Sequence, residues 1–217
     1  MKLVMVGGHT RNIGKSSVVE GIIGATAELN WTAIKITQFG HGICSGDCDT
    51  CDCANNVDQF SITEESARNT GSDTARFLAA GARRSLWVRT KQGELYTALP
   101  ALKEAIKGDE FVIVESNSLR RFIEPAVYLQ VLDPSKADFK LSARQFFDLS
   151  DAYILVDKTD QRGASASTAL MAGGIQKNKQ CFTVTEEERF ISQKVIEFVT
   201  SRLEVGDGIR GSYAARR

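Results

Sequence analysis

Apolar and polar residues occur along the chain in blocks that predict strands and helices in turn. Short apolar runs predict buried strands at 1–6, 31–37, 85–90, 111–115, 127–132, 152–156 and 181–185. Between them, apolar residues at helical spacing predict helices that follow residue 15 and lie at 73–82, 94–107, 142–149, 164–177 and 186–202. Glutamates follow Thr185, which predicts it as the N-cap of the last helix. This alternation predicts an α/β fold: a mainly parallel sheet with helices on both faces.

One long stretch interrupts the alternation. Residues 38–70 are polar and show neither the apolar runs of a buried strand nor the helical spacing of apolar residues. They are too many for a plain connection in a compact domain. We interpret them as an insertion that carries function or is ordered by a metal. The predicted organisation is a single domain over 1–204 with the insertion at 38–70, followed by a flexible polar tail at 205–217.

Composition narrows the classes of function. The 217 residues are 42% hydrophobic and 25% charged, as in an ordinary globular domain. Lys and Arg together number 27, as do Asp and Glu, so no net field favours nucleic acid. No apolar run is long enough to span a membrane, and the first residues enter a strand without a signal-peptide pattern. We therefore expect a cytoplasmic protein with no nucleic-acid and no membrane partner.

A glycine-bounded loop joins the first predicted strand to the first helix. It reads Gly8, His9, Thr10, Arg11, Asn12, Ile13, Gly14, Lys15, Ser16 and Ser17. Backbone N–H groups in such a turn, aided by the helix dipole, bind phosphate. Lys15 can reach the β- and γ-phosphates, and the Ser16 hydroxyl can bind Mg²⁺. His9 occupies the position of the first glycine in G-x-x-x-x-G-K-[ST], so the loop is one residue longer than that pattern.

Three more stretches contain residues that suit a nucleotide site. Glu115 closes an apolar strand, where a nucleotide-binding enzyme places a ligand of Mg²⁺ or of its waters. Asp73 begins a predicted helix and, taken alone, is a capping residue. Asp157, Lys158 and Asp160 follow a strand and resemble the guanine-reading motif N-K-x-D, with Asp157 in place of Asn. The alternative for this last stretch is an exposed polar turn.

These motifs together resemble one branch of the P-loop NTPases, which holds dethiobiotin synthetase, cobyrinic acid diamide synthase and the MobB-type proteins of molybdopterin-guanine dinucleotide synthesis. The loop resembles the synthetase pattern G-x-x-T-x-[VI]-G-K-[ST]. The segment 72–82 is similar to the D-S-x-R-H…A-G-A stretch of the MobB type, and Val114-Glu115 is similar to the V-E-G strand end of both. The resemblance implies a three-layer sandwich, a Mg²⁺ role for Asp73 and Glu115, and a Lys35 that faces the γ-phosphate or substrate. We also expect a homodimer.

Four of the five cysteines lie close together, at Cys44, Cys48, Cys51 and Cys53. Four thiolates at this spacing can hold one Zn²⁺ or supply an iron–sulfur cluster. Free thiols or one local disulfide are the alternatives. Such a cluster in a cytoplasmic chain more often binds metal than forms a disulfide framework.

The sequence predicts a Mg²⁺-dependent enzyme that binds ATP or GTP and acts in cofactor biosynthesis, by γ-phosphoryl transfer or NTP hydrolysis. Lys15, Lys35 and Glu115 are the expected catalytic residues, and the substrate is an unidentified small molecule or protein. The alternative is a metallochaperone-type GTPase that holds or delivers a metal at the cysteine cluster. A nucleotide-binding regulatory subunit without turnover is a third hypothesis.

Overall fold

A computed structural model describes residues 1–40, 60–157, 179–185 and 190–204. The described strands are β1 (Lys2–Gly8), β2 (Thr32–Phe39), β3 (Phe60–Glu64), β4 (Arg84–Lys91), β5 (Phe111–Glu115), β6 (Val127–Leu132), β7 (Ala152–Asp157) and β8 (Gln180–Thr185). The described α-helices are α1 (Lys15–Ala25), α2 (Asp73–Ala80), α3 (Leu95–Ala105), α4 (Leu141–Phe146) and α5 (Gln193–Arg202). Short 3₁₀ turns lie at Ala27–Leu29, Ser118–Arg121 and Phe147–Leu149.

The described strands form one eight-stranded sheet in the order β3-β4-β2-β5-β1-β6-β7-β8. All neighbouring pairs are parallel except β3 with β4. The predicted α/β fold with a mainly parallel sheet is confirmed. Because β1 lies in the interior of the sheet, between β5 and β6, the loop that follows it opens at the edge where the parallel strands end.

Side chains of β1 alternate between two cores, one on each face of the sheet. Val4 and Val6 pack with residues of α1, α2 and α5. Leu3 and Met5 pack on the other face with residues of α3 and α4. This two-sided burial explains why β1, β5 and β6 consist mostly of apolar residues. It also fixes the direction of each strand-end side chain, because a slip of one residue would reverse both faces.

The structure differs from the sequence predictions at two described elements. Strand β3 lies inside 38–70, where only irregular chain was predicted; its Phe60 and Ile62 alternate with polar residues, and the run is too short to stand out from its polar surroundings. The last helix begins at Gln193 after Ser192, not at residue 186 after a Thr185 cap. The Phe190 N–H donates to the Thr185 carbonyl at 3.0 Å.

Several predictions fall outside the described residues. These are the helix at 164–177, the tail at 205–217, the base-reading residues Lys158 and Asp160, and all four clustered cysteines. Within the described part of the chain, no helix has the length and hydropathy that crossing a bilayer requires.

Candidate functional site

The loop between β1 and α1 is shaped by two residues with left-handed backbone. Asn12 has φ 54° and Gly14 has φ 89°, and Gly14 directly precedes α1. A Cβ atom on Gly8 would lie 2.6 Å from Cδ of Lys15, so a larger residue here would force the lysine side chain to shift. In this loop, which is one residue longer than the usual pattern, Gly8 lies where the Lys15 side chain passes over the backbone.

Four successive carbonyl groups of this loop accept hydrogen bonds. The His9 carbonyl accepts from the Lys140 N–H at 2.8 Å, and the Thr10 carbonyl accepts from Lys15 Nζ at 2.7 Å. Lys136 Nζ donates to the carbonyls of Arg11 and Asn12 at 3.2 and 3.0 Å. These hydrogen bonds hold the backbone of the loop in one conformation.

Most of these contacts come from residues 133–140, the connection between β6 and α4, which we call the strap. The Thr10 hydroxyl donates to Asp138, and the His9 ring packs on Phe139 with centroids 5.4 Å apart. His9 is fully buried, and this burial lowers its pKa. The structure thus places the His9 ring against the strap. Sequence reasoning missed the strap, whose one signal is its position after a strand at the loop edge of the sheet.

Next to the loop, three oxygen-bearing side chains converge on one ammonium group. Lys35 Nζ lies 2.5 Å from Oε1 of Glu115, 2.9 Å from Oδ2 of Asp73 and 3.3 Å from the Ser16 hydroxyl. The Ser16 hydroxyl donates to Oε2 of Glu115 at 2.7 Å. Lys35, within β2, lies opposite Glu115, the last residue of β5, in the β2–β5 register, which is why the two side chains meet here. We call these four residues the cation centre.

The donor atoms of the cation centre fit a magnesium ion. Two carboxylates and a hydroxyl are hard oxygen ligands, and Mg²⁺ takes few protein ligands because it keeps several waters. The Lys35 ammonium lies where these oxygens converge, so the protein itself puts positive charge at that point. In the described ranges, no group of three or more His, Cys, Asp or Glu side chains could hold a metal.

Burial and charge shift the proton affinities of the site. Burial lowers the pKa of Lys15 to about 8. Burial opposes ionisation of Asp73, but its ion pair and hydrogen bond with Lys35 bring the pKa of that carboxyl below the usual value. Burial also lowers the pKa of Lys140, which interacts with the charges of Lys35 and Glu115. Lys140 is thus a third lysine at the site, and no sequence motif pointed to it.

A surrounding set of contacts holds the loop and the carboxylates in position. The Asn117 amide brackets the Gly8 peptide: Oδ1 accepts from the Gly8 N–H at 3.0 Å and Nδ2 donates to the Gly8 carbonyl at 2.8 Å. The Tyr128 hydroxyl donates to Oδ1 of Asn117 at 3.3 Å. On the other side, Arg76 lies 3.4 Å from Asp73 and donates to the Ser17 hydroxyl at 3.1 Å. Sequence reasoning had given Asn117 and Arg76 no role at the site.

The remaining predicted site residue in the described part of the chain is Asp157. It is the last residue of β7, is exposed, and lies opposite Thr185 of β8. Its strand lies two places from β1 in the sheet, with β6 between them. The base-reading role of this stretch stays a prediction.

Comparison with known proteins identifies the fold. No protein-family profile and no curated protein sequence matches the chain. Among solved structures, HypB from Helicobacter pylori, in complex with nickel, matches with a TM-score of 0.54 at 13% identity, over 93% of this chain and 86% of that one. This likeness confirms the predicted α/β fold of the P-loop NTPases.

Two further solved structures match with lower TM-scores. LpxK from Aquifex aeolicus, in complex with ATP, matches with a TM-score of 0.46 at 14% identity, over 84% of this chain and 53% of that one. MobB from Bacillus subtilis matches with a TM-score of 0.41 at 16% identity, over 95% of this chain and 100% of that one.

Proposed function

We propose that this protein binds ATP or GTP together with Mg²⁺ and uses the γ-phosphate in a transfer or hydrolysis reaction of cofactor biosynthesis. The observation that supports the proposal is the convergence of Ser16, Asp73 and Glu115 on one cationic point beside the Gly8–Ser17 loop. A preformed phosphate loop and a hard-oxygen cation centre are the two parts that phosphoryl transfer requires.

The residues present suit a reaction that depends on positioning and charge. Mg²⁺, when bound, supplies positive charge to the β- and γ-phosphate oxygens. The Lys15 ammonium bonds to the carbonyl of Thr10 within the loop. The Lys35 ammonium lies beside the loop, at Glu115. In our proposal these two lysines neutralise the negative charge that develops on the transferred group, while Glu115 and Asp73 fix the place of the cation.

Equilibrium titration with ATP and GTP, with and without Mg²⁺, tests the binding half of the proposal. Lys15→Ala should abolish nucleotide binding, whereas Lys103→Ala, an exposed change on α3, should leave it unchanged. Ser16→Ala should weaken the Mg²⁺-bound nucleotide more than the Mg²⁺-free one. Micromolar affinity retained by Lys15→Ala would refute the proposal. Phosphate release measured beside binding distinguishes an enzyme from a regulatory subunit without turnover.

The cysteine spacing supports a second candidate, a GTPase that holds or delivers a metal at Cys44, Cys48, Cys51 and Cys53. The cluster follows in sequence directly on β2, the strand that brings Lys35 to the cation centre. Metal analysis of protein purified without a histidine tag tests it, with about one zinc, or iron with sulfide, expected per chain. Nickel belongs in the same analysis because HypB was solved with it. A metal affinity that differs between GTP- and GDP-bound protein would favour this candidate over the enzyme.

The predicted homodimer is part of the proposal. Light scattering of the purified protein, with and without Mg²⁺ and nucleotide, tests it directly.

A further inference from the structure

One face of β2, β4 and β3 carries an aromatic ring and a basic group that the proposed nucleotide site does not use. We call it the acceptor face and define it by Thr37, Ser61, Thr63, Trp87 and Arg89, which alternate with residues of the opposite face. On that opposite face Leu86 and Val88 are buried in the core. Trp87, between them in sequence, points to the acceptor face and is 37% exposed. The indole in the middle of this eight-residue strand is therefore partly accessible to a ligand.

Hydrogen bonds fix the two large side chains of this face. The Trp87 indole N–H donates to the Thr37 hydroxyl at 3.1 Å. The Arg89 guanidinium lies over the indole, 4.8 Å from Cζ to the ring centroid, and its Nε donates to the Ser61 hydroxyl at 3.1 Å. Among the described residues, no carboxylate pairs with Arg89. Arg89 is thus a positioned guanidinium whose charge is not neutralised by an ion pair within the described ranges.

The acceptor face is continuous with the cation centre. Lys35 is directly opposite Trp87 in the β2–β4 register, and Thr37 is opposite Arg89. Arg89 is therefore one strand across and two residues along from Lys35, which places their Cα atoms about 8 Å apart by ordinary sheet spacings. A small molecule of ordinary size can contact both side chains at once.

We propose that the acceptor face binds the second substrate, a small molecule with a carboxylate or phosphate group that pairs with Arg89. This inference rests on the proposed function, because it gives the γ-phosphoryl transfer its acceptor. Guanidinium forms paired hydrogen bonds with either oxyanion, and stacking on Trp87 holds its plane in one orientation. The hydroxyls of Thr37 and Ser61 add polar contacts, and the indole provides a rigid apolar surface for the rest of the molecule.

Tryptophan fluorescence can report binding at this face. The chain contains two tryptophans, and Trp31 is fully buried, so an anion that moves Arg89 changes chiefly the emission of Trp87. The probes are inorganic phosphate and malonate, which separate the phosphate and carboxylate classes. Each is titrated at constant ionic strength, with chloride as the reference salt and saturating Mg²⁺–ADP on the phosphate loop. A saturable response to one probe, absent with chloride, is expected.

Two arginine variants make the test specific. Arg89→Met should weaken the anion about tenfold, as expected for the loss of a charged hydrogen-bond partner. Arg202 is a matched control, because its Cζ also lies over an aromatic ring, 5.2 Å from the centroid of Phe198, at another place in the fold. Arg202→Met should leave anion affinity unchanged. Mg²⁺–ADP affinity should be the same in both variants and in the wild type.

Two results would overturn the inference: no saturable response to either anion, or equal anion affinity in Arg89→Met and wild type. Failure of Mg²⁺–ADP to bind would instead refute the proposed function. In that case the nucleotide-free titration still compares Arg89→Met with wild type, so the acceptor face is tested separately from the phosphate loop.

Discussion

Replacement of Lys35 by methionine should destabilise the protein and, at the same time, give it a response to Mg²⁺ alone. Lys35 is the positive charge at 2.5 Å from Glu115, whose side chain is only 4% exposed. Methionine keeps most of the stem but leaves the Glu115 carboxylate buried without that partner. The two carboxylates and the Ser16 hydroxyl remain, so the space left by the ammonium is suited to a divalent cation.

The size of the effect follows from burial. Removal of one partner of a buried ion pair costs about 3 kcal/mol in the free energy of unfolding. The contact with Asp73, whose side chain is 35% exposed, adds little because solvent screens it. For a chain of this length, about 3 kcal/mol corresponds to a fall in Tm of roughly 6–12 °C. If Mg²⁺ binds the variant with a Kd of about 1 mM, then about 10 mM Mg²⁺ should raise the variant's free energy of unfolding by about 1.4 kcal/mol.

Thermal unfolding followed by circular dichroism, with and without Mg²⁺, measures both effects. Wild type should show little change with Mg²⁺ alone, because Lys35 already provides the charge. Lys103→Met, an exposed change on α3, controls for the loss of a lysine. An unchanged Tm in Lys35→Met, or an equal rise with Mg²⁺ in variant and wild type, would refute the assignment of the cation centre.

Three further predictions concern the loop and the strand that leads into it. Lys136→Met should weaken Mg²⁺–nucleotide about fivefold in equilibrium titration, because about 1 kcal/mol of carbonyl anchoring is lost. Nucleotide affinity, measured by calorimetric titration, should fall by up to about tenfold per pH unit above pH about 8. Above that pH the nucleotide-free protein loses the proton of Lys15, and phosphate binding favours the protonated lysine. Gly7→Ala should lower the free energy of unfolding by about 2 kcal/mol in urea denaturation, because its Cβ would lie 2.2 Å from Asn117 Oδ1.

The first two of these predictions have a control variant, and the third has a refuting outcome. Lys136→Arg keeps a donor for the loop carbonyls and should retain affinity; an equal loss would mean that the ammonium does not organise the loop. Lys15→Arg should remove the dependence on pH near 8, and a persistent dependence would point to another group. An unaltered urea midpoint in Gly7→Ala would mean that the Asn117 amide can move aside.

The sequence predicted the elements whose pattern is local. Strand β5 is apolar up to its last residue, Glu115, and β1 is mostly apolar. The glycine-bounded loop between strand and helix lies within one short stretch of sequence. Asp73 begins α2 and Glu115 ends β5, and Lys35 within β2 lies opposite Glu115 in the register, so the three side chains meet. The roles that the resemblance implies for them stay predictions.

What the sequence did not predict depends on contacts between distant segments. The strap reaches the loop across more than a hundred residues, and Lys136 by itself looks like any solvated lysine. Strand β3 owes its order to pairing with β4, since its own five residues carry a weak pattern. Arg89 has no motif, and only the strand register places it beside Trp87 and two residues beyond the level of Lys35.

The Asn117 amide has a consequence for how the site can move. It belongs to the segment directly after Glu115, yet both of its polar atoms bond to the peptide of Gly8, where the phosphate loop begins. Any sliding of β5 against β1 would break both bonds together. Within the proposed function, we therefore expect the loop and Glu115 to move together, so that a conformational change on nucleotide binding would involve the segments that face them.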